Sequence, residues 1–172
     1  MSHDYPNLLT DALRARQVLA AWYIRHCRHI IEVGGWRNPI SEYSVGAHET
    51  ITVIDPLIDD LASSDGRAIV RHIRGKIEDY QPSGDEDALV MLGFEGWGHL
   101  DRECILRLLR RVRVTVLEAS TSHPPAQASI REIIERDDLC VRVQLFMTAG
   151  GAGVDPAWRF KARSFYVLDR KE

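Results

Sequence analysis

The sequence predicts one α/β domain with an open, mostly parallel sheet of seven strands, flanked by helices and closed by a C-terminal antiparallel hairpin. Short apolar segments rich in β-branched residues alternate with helix-like segments, an order typical of parallel sheets with right-handed crossovers. The last two strands are joined by a glycine-rich loop without a crossover helix, so they should be antiparallel. The 172 residues suit a single domain.

Composition limits the classes of partner. Hydrophobic residues make up 45% and charged residues 27% of the chain, which is ordinary for a globular protein. The formal net charge of -3 provides no general attraction to nucleic acid or to an anionic membrane, so neither partner is expected. No signal-peptide pattern or membrane-length apolar stretch is visible. The three cysteines are far apart and form no C-x-x-C pair, which favours a reducing, cytoplasmic location.

The first segment, 7–28, is predicted to be a helix that precedes a core at 29–172. Arg14, Arg16 and Arg25 are expected on its solvent side. The apolar residues that recur at helical spacing are Leu8, Leu9, Ala12, Leu13, Ala15, Val18, Leu19 and Trp22.

The predicted strands of the core cover 29–33, 50–54, 68–73, 88–92, 112–117, 140–147 and 159–168. The helices predicted between them are a short one from Asn38 to near Gly46, one of about two turns at 57–63, and longer ones at 100–111 and 127–136. The strand at 68–73 is the most polar and is expected at an edge of the sheet. An open sheet of this kind binds ligands outside the carboxyl ends of its strands, here those of the first two.

The turn after the first strand, Glu32–Pro39, is the most informative segment. Gly34 and Gly35 directly follow the strand and would let the backbone approach a ligand closely. The next helix would offer free N–H groups to a carboxylate-bearing ligand. Glu32 could anchor an ammonium group or, through water, another polar group of a ligand. A tight turn with no ligand remains the alternative, because a lone glycine-rich turn is a weak signal.

Asp55 ends the second strand about 20 residues after this turn. A doubly wound fold places a carboxylate there to bind ribose hydroxyls. The alternative is that Asp55-Pro56 only begins the next turn. The glycine turn and Asp55 together indicate a ribose-bearing ligand.

At this point the chain resembles the class I methyltransferase family, which has a Rossmann-like fold and binds S-adenosylmethionine. The resemblance spans nearly the whole chain, including the C-terminal hairpin. The matching segments are Ile30–Gly35, similar to the first family motif; Ile51–Asp55, similar to the second strand with its ribose-binding acid; Gly75–Asp79, similar to the loop that flanks adenine; and Asp87–Gly93, similar to the strand before the catalytic loop.

The resemblance implies a cofactor site formed by Glu32, Gly34, Gly35, Trp36, Asp55, Pro56, Lys76, Ile77, Gly93 and Phe94. Two of these positions depart from the family pattern. Trp36 stands at the second glycine of the usual G-x-G-x-G turn, where it would crowd the methionine moiety or form a wall of an altered pocket. Lys76 stands where the family often has an Asp that accepts from the adenine amine. A charged Lys only donates, so main chain near Ile77 is expected to hold adenine.

The loop after the fourth predicted strand, 93–99, places three glycines among two aromatic residues, a Glu and a His. Phe94 and Trp97 could wall a substrate, and Glu95 or His99 could take a proton from the attacking nucleophile. The alternative is that Trp97 covers the core and His99 only precedes the next helix. The histidines show no metal-ligand spacing, so no metal site is expected.

The sequence therefore favours an S-adenosylmethionine-dependent methyltransferase that acts on a small molecule and releases S-adenosylhomocysteine. The alternative is a non-catalytic methyltransferase-like binding or scaffolding domain that needs a partner. A chain this short also favours a homodimer or a partner subunit that completes the site.

Overall fold

The computed structural model describes residues 11–35, 39–59, 61–64, 68–148 and 162–171. The strands of its sheet are β1 (His29–Val33), β2 (Thr50–Asp55), β3 (Leu61–Ser64), β4 (Ile69–Arg74), β5 (Ala88–Leu92), β6 (Val114–Ser120), β7 (Leu139–Thr148) and β8 (Ala162–Arg170). The helices are α1 (Asp11–Tyr23), α2 (Arg102–Leu109) and α3 (Pro124–Ile134), and 3-10 turns lie at Ile40–Tyr43, Ile77–Asp79 and Trp97–His99.

The strands form one sheet of eight with the order β3-β4-β2-β1-β5-β6-β8-β7. The central strands β4, β2, β1, β5 and β6 are parallel. β8 runs antiparallel to β6, and β7 runs antiparallel to β8. All the predicted strands are present, β1 and β5 with the predicted bounds, and the predicted fold class is confirmed. The order reverses between β1 and β5, which is where such a sheet binds ligands.

One predicted helix is wrong. The segment predicted as a two-turn helix at 57–63 instead leads into β3, which pairs antiparallel with β4 from Leu61↔His72 to Ser64↔Ile69. β4 is therefore not the edge strand that its polar sequence predicted. The physical reason is that β4 would otherwise expose a row of unpaired backbone groups, and a short antiparallel strand satisfies them.

Helix ends follow local capping rules. Asp101 begins α2 by accepting a hydrogen bond from the Cys104 N–H at 2.6 Å. His123 begins α3 by accepting from the Ala126 N–H at 3.3 Å, with prolines in the first turn. The short helix predicted from Asn38 to Gly46 is reduced to the 3-10 turn Ile40–Tyr43 among the described residues.

Both faces of the sheet are buried. The side chains of β1, β2, β5 and β6 are almost continuously buried, as expected for central parallel strands. One apolar cluster joins the sheet to α2, α3 and the turn Ile77–Asp79. The other joins the sheet to α1 and the turn Ile40–Tyr43.

α1 packs with a different face from the predicted one. Val18 and Trp22 were expected in the core, but each is 54% exposed. Gln17 is buried instead, and the Arg16 side chain, expected in solvent, is only 15% exposed. The reason is that Arg16 forms an ion pair with the buried carboxylate of Glu118 in the sheet. The face of α1 that carries Arg16 is therefore the face that packs on the sheet.

Candidate functional site

A cleft of about 970 Å³ opens at the carboxyl ends of the parallel strands. This volume lies within the usual range for small-molecule sites. The cleft brings together most of the residues that the sequence assigned to a cofactor. Those lining it are Gly34, Gly35, Asp55, Pro56, Lys76, Ile77, Gly93 and Phe94.

The turn after β1 requires its glycines. Gly34 has φ 76°, a left-handed value that favours glycine. A Cβ at Gly35 would lie 2.6 Å from Cγ1 of Val53 and 2.8 Å from Oε2 of Glu32, closer than van der Waals contact allows. Both glycines line the cleft, and the close approach of their main chain to a ligand stays a prediction. Trp36 lies outside the described residues.

Asp55 ties the end of β2 to this turn. Its side chain accepts from the Gly35 N–H at 3.2 Å and from the Leu57 N–H at 2.7 Å. Asp55 is 8% exposed and lines the cleft together with Pro56. A carboxylate is a hydrogen-bond acceptor, the type of group that binds the hydroxyl groups of a ligand.

Glu32 lies beneath the turn and is fully buried. Its Oε2 accepts from the Ile40 N–H at 2.7 Å, while Oε1 has no hydrogen-bond partner within the described parts of the chain. Burial raises the pKa of this carboxyl to about 8, so most of it is protonated at neutral pH. In this structure Glu32 holds the segment after the turn, and it has no surface facing the cleft through which to anchor a ligand.

The loop after β4 supplies another wall. The Lys76 ammonium lies 3.6 Å from the Glu78 carboxylate, and its side chain is 68% exposed. The Ile77 side chain is buried, and its carbonyl accepts from the Cys104 thiol at 3.5 Å. Gly75, Lys76, Ile77 and Glu78 of this loop all line the cleft.

The loop after β5 is anchored mainly by its aromatic residues. Phe94 is 4% exposed and packs edge-to-face on Trp97, with ring centroids 5.5 Å apart. The Trp97 indole N–H donates to the Glu132 carboxylate of α3 at 2.9 Å. Trp97 therefore covers the core and fixes the loop, the alternative that the sequence left open, whereas Phe94 also contacts the cleft.

Of the two predicted proton acceptors, Glu95 is exposed and lines the cleft. His99 ends the 3-10 turn Trp97–His99, and its side chain lies outside the description. Across the described ranges, no cluster of three or more His, Cys, Asp or Glu side chains is arranged to hold a metal ion.

Sequence reasoning missed a buried charge cluster beside Gly93. Glu118, two residues before the end of β6, is fully buried and accepts from the Gly93 N–H at 2.8 Å. It also forms ion pairs with Arg16 of α1 and Arg163 of β8. The available signal was that Glu118 is the one charged residue of the segment Val114–Ala119. A buried carboxylate requires charged or hydrogen-bonding partners.

No protein-family model matches the chain, and no curated protein sequence matches it. Solved structures do. The N-methyltransferase NodS from Bradyrhizobium japonicum WM9, in complex with S-adenosyl-L-homocysteine, matches with a TM-score of 0.68 and 13% identity over 99% of this chain and 94% of that chain.

Two further structures match over most of their length. Sp1610 of Streptococcus pneumoniae, assigned as a tRNA (m1A22) methyltransferase and bound to S-adenosyl-L-methionine, gives a TM-score of 0.57 and 12% identity over 92% of this chain and 73% of that chain. Thermoplasma acidophilum 1320 matches with a TM-score of 0.60 and 16% identity over 96% of this chain and 93% of that chain. Together with the sheet order, these likenesses show that the chain has the class I methyltransferase fold.

The described residues contain no helix that is both long and apolar enough to span a bilayer.

Proposed function

We propose that this chain is an S-adenosylmethionine-dependent methyltransferase that acts on a small molecule. One observation carries the proposal: Asp55 and the Gly34-Gly35 turn meet in one cleft at the switch point of a methyltransferase-type sheet. Structurally similar proteins hold S-adenosylhomocysteine or S-adenosylmethionine. The remaining assignments of residues follow from the positions of side chains around that cleft.

The described residues fit the cofactor. The Asp55 carboxylate would accept hydrogen bonds from the ribose hydroxyls. Gly34 and Gly35 line the cleft, and their main chain would lie along the methionine moiety. Ile77 and the main chain around it would flank adenine, while Pro56, Gly93 and Phe94 complete the wall. S-adenosylmethionine supplies a methyl group on a sulfonium, which is activated toward attack by a nucleophile.

The protein's share of the reaction is then mainly positioning. Holding the acceptor atom in line with the methyl group supplies most of the acceleration when the nucleophile is neutral or anionic. Glu95, exposed on the cleft, is placed to take the proton that the acceptor loses. His99 remains a predicted second candidate for that role.

The choice of a small acceptor rests on the charge around the cleft. Proteins of similar fold include the N-methyltransferase NodS and an enzyme assigned as a tRNA methyltransferase. Here Glu78, Glu95 and Asp101 line the cleft together with the cations Arg16 and Lys76. Arg16 is paired with Glu118 and Lys76 with Glu78. Paired cations among acidic groups disfavour a phosphate backbone, which proteins bind through clustered Lys and Arg.

The non-catalytic alternative has one supporting observation. Lys76 pairs with Glu78 and so offers adenine no acceptor of the usual kind. A domain of that type would keep the fold but bind neither cofactor nor product without a partner.

Homodimer formation and a cytoplasmic location also remain proposals.

The deciding experiment is calorimetric titration of the purified protein with S-adenosylmethionine and with S-adenosylhomocysteine. We expect micromolar dissociation constants for both. An absence of binding at millimolar ligand would contradict the proposal and favour the non-catalytic domain.

The Asp55→Ala variant tests the ribose contact within the same titration. We expect its dissociation constant for S-adenosylhomocysteine to rise at least tenfold, about 1.4 kcal/mol, because the hydroxyl acceptor is lost. Asp59→Asn is the matched control, since it removes an exposed carboxylate nearby and should leave affinity unchanged. Circular dichroism checks that both variants remain folded. Unchanged affinity in Asp55→Ala would contradict the assignment.

A further inference from the structure

One buried residue of β6 is bonded to the turn that follows β5. Oε2 of Glu118 accepts from the Gly93 N–H at 2.8 Å, and the main-chain carbonyl of Glu118 accepts from the Phe94 N–H at 2.8 Å. Leu92, the last residue of β5, is paired with Glu118 in the sheet. Two successive N–H groups of the turn are therefore held by one residue of the neighbouring strand.

Two arginines fix the orientation of the Glu118 carboxylate. Arg16 Nη1 lies 2.7 Å from Oε2, Arg163 Nη2 lies 3.1 Å from the same oxygen, and Arg163 Nε contacts Oε1. Burial lowers the pKa of both arginines to about 10, so both remain cations at neutral pH. Because charged N–H groups hold both oxygens, the carboxylate cannot turn away from Gly93 without breaking strong hydrogen bonds.

This charge cluster reaches the cleft through Gly93 and Arg16. Both residues line the cleft, whereas Glu118 is fully buried behind them. Gly93 has φ 78°, a left-handed value that favours glycine. A Cβ at Gly93 would lie 3.7 Å from Arg16 Nη1, so the guanidinium is in contact distance of this turn. The main chain of Gly93 is therefore held in an unusual conformation by groups that lie on the side away from solvent.

The order of the strands places Gly93 relative to the proposed cofactor. Across the sheet the order is β4-β2-β1-β5, so the cleft passes from Ile77 to Asp55, then to the Gly34-Gly35 turn, and then to Gly93. A nucleoside held by Ile77 and Asp55 would direct the rest of the cofactor across β1 toward β5. Gly93 lies two strand positions from Asp55, about 10 Å at about 4.8 Å per strand. It therefore borders the space for the methionine moiety.

We propose that Glu118 is a positioning residue that holds the Gly93 main chain against the methionine moiety of the cofactor. This inference rests on the proposed function and adds to it a residue that does not itself touch the cofactor. A carboxylate suits the role because four N–H groups of Arg16, Arg163 and Gly93 donate to its two oxygens. An amide has only one acceptor oxygen and would turn N–H donors toward the arginines.

The first test compares two ligands on the Glu118→Gln variant by calorimetry. S-adenosylhomocysteine has the amino-acid part of the cofactor, and 5′-methylthioadenosine lacks it. We expect the dissociation constant for S-adenosylhomocysteine to rise about tenfold, whereas that for 5′-methylthioadenosine should change less than about twofold. The reason is that the contacts at Ile77 and Asp55 are unchanged. Equal weakening of both ligands, or no weakening of either, would overturn the inference.

Glu86→Gln is the matched control. Glu86 is also a buried carboxylate, 7% exposed, that accepts from main-chain N–H groups, those of Ser83 at 2.5 Å and Gly84 at 2.8 Å. It precedes β5 and lies at the opposite end of that strand from Gly93. This variant should lose stability without changing the ratio of the two dissociation constants. If it changes that ratio as much as Glu118→Gln does, general destabilisation is the cause and the inference fails.

The amide resonance of Gly93 provides a second, spectroscopic test without ligand. Arg16→Gln leaves Glu118 paired with Arg163 but frees one side of Oε2, so the Gly93 amide resonance should shift in ¹⁵N-labelled protein. Arg136→Gln is the control, because Arg136 is similarly buried at 17% exposure and is paired with Asp138 at 2.5 Å; it should leave this resonance in place.

An unmoved Gly93 resonance in folded Arg16→Gln would overturn the inference, and this comparison decides if Glu118→Gln does not fold. The failure of the proposed function gives a different result. Absence of S-adenosylhomocysteine binding to the wild-type chain would contradict that function. Binding to the wild type with an unchanged ratio of the two dissociation constants in Glu118→Gln would contradict this inference alone.

Discussion

Gly96, in the loop after β5, occupies a position that excludes any side chain. Its φ is 92° and its ψ is -175°, a region that only glycine visits readily. A Cβ there would lie 2.9 Å from the Pro125 carbonyl oxygen and 3.0 Å from the Ser129 hydroxyl. Close packing of this glycine on α3 allows the Trp97 N–H to reach the Ser129 hydroxyl at 3.3 Å. The residue therefore fixes one wall of the cleft.

The Gly96→Ala variant should lose about 1–3 kcal/mol of unfolding free energy, because a strained backbone and a close contact both destabilise its folded state. Gly98→Ala in the same loop is the control, because a Cβ there meets no atom within 4 Å; its cost should stay below about 1 kcal/mol. Urea unfolding followed by circular dichroism measures both. Equal stabilities for the two variants would show that Gly96 is not constrained as the structure indicates.

At the scale of elements, α1 contributes Arg16 and Gln17 to the wall of the cleft. Its inward face carries Arg16 to Glu118 and buries Gln17, Ala20 and Ala21. Trp22 lies on the outer face, where the Arg25 guanidinium stacks 3.9 Å from the ring centroid. A helix positioned partly by an ion pair does not bury the face that hydropathy alone selects.

Trp22→Ala should therefore cost less than about 1 kcal/mol, because the side chain is half exposed and its stacking with Arg25 is solvated. Ile24→Ala, in the turn directly after α1, should cost about 2–5 kcal/mol, since Ile24 is 1% exposed in the core. Chemical unfolding compares the two. A larger loss of unfolding free energy in Trp22→Ala than in Ile24→Ala would contradict the observed orientation of α1 and support the one predicted from the sequence.

At the scale of the whole molecule, the stability of the chain should depend on pH through Glu32. Burial raises the pKa of this carboxyl from 4.5 to about 8, while Arg16 acts in the opposite direction. The folded chain then binds more protons than the unfolded chain between these two values. The free energy of unfolding should therefore fall as the pH rises through this window, and the contribution is lost above pH 8.

The Glu32→Gln variant removes this dependence, because a neutral amide can still accept from the Ile40 N–H. Relative to the wild type, it should be more stable near pH 9 than near pH 5 by about 1 kcal/mol or more. Glu42→Gln, which removes an exposed carboxylate of the same segment, is the control and should show no such difference. Urea unfolding at several pH values measures the free energy of unfolding of each variant. If this free energy changes with pH equally in Glu32→Gln and in the wild type, Glu32 is not a buried, protonated carboxyl.

The sequence by itself determined the alternation of strands and helices, the closing hairpin and the edge of the sheet where the cleft lies. These features are encoded locally, because buried parallel strands are continuous apolar segments bounded by glycine or proline. The Gly34-Gly35 turn and Asp55 could be singled out from the sequence because each directly follows such a strand. Asp55 follows an easily recognised strand, and its contact with Gly35 is dictated by the pairing of β1 with β2.

Only the tertiary structure decided the rotation of α1, the pairing of β3 and the cluster around Glu118. Arg16 lies 102 positions from Glu118 and Arg163 lies 45 positions from it, so no window of sequence contains the cluster. The desolvation of charges and the pairing of sheet edges depend on which distant segments pack together. The charged surroundings of Gly93 are therefore set by long-range contacts, whereas the wall of the cleft formed by the ends of β1 and β2 is set by local ones.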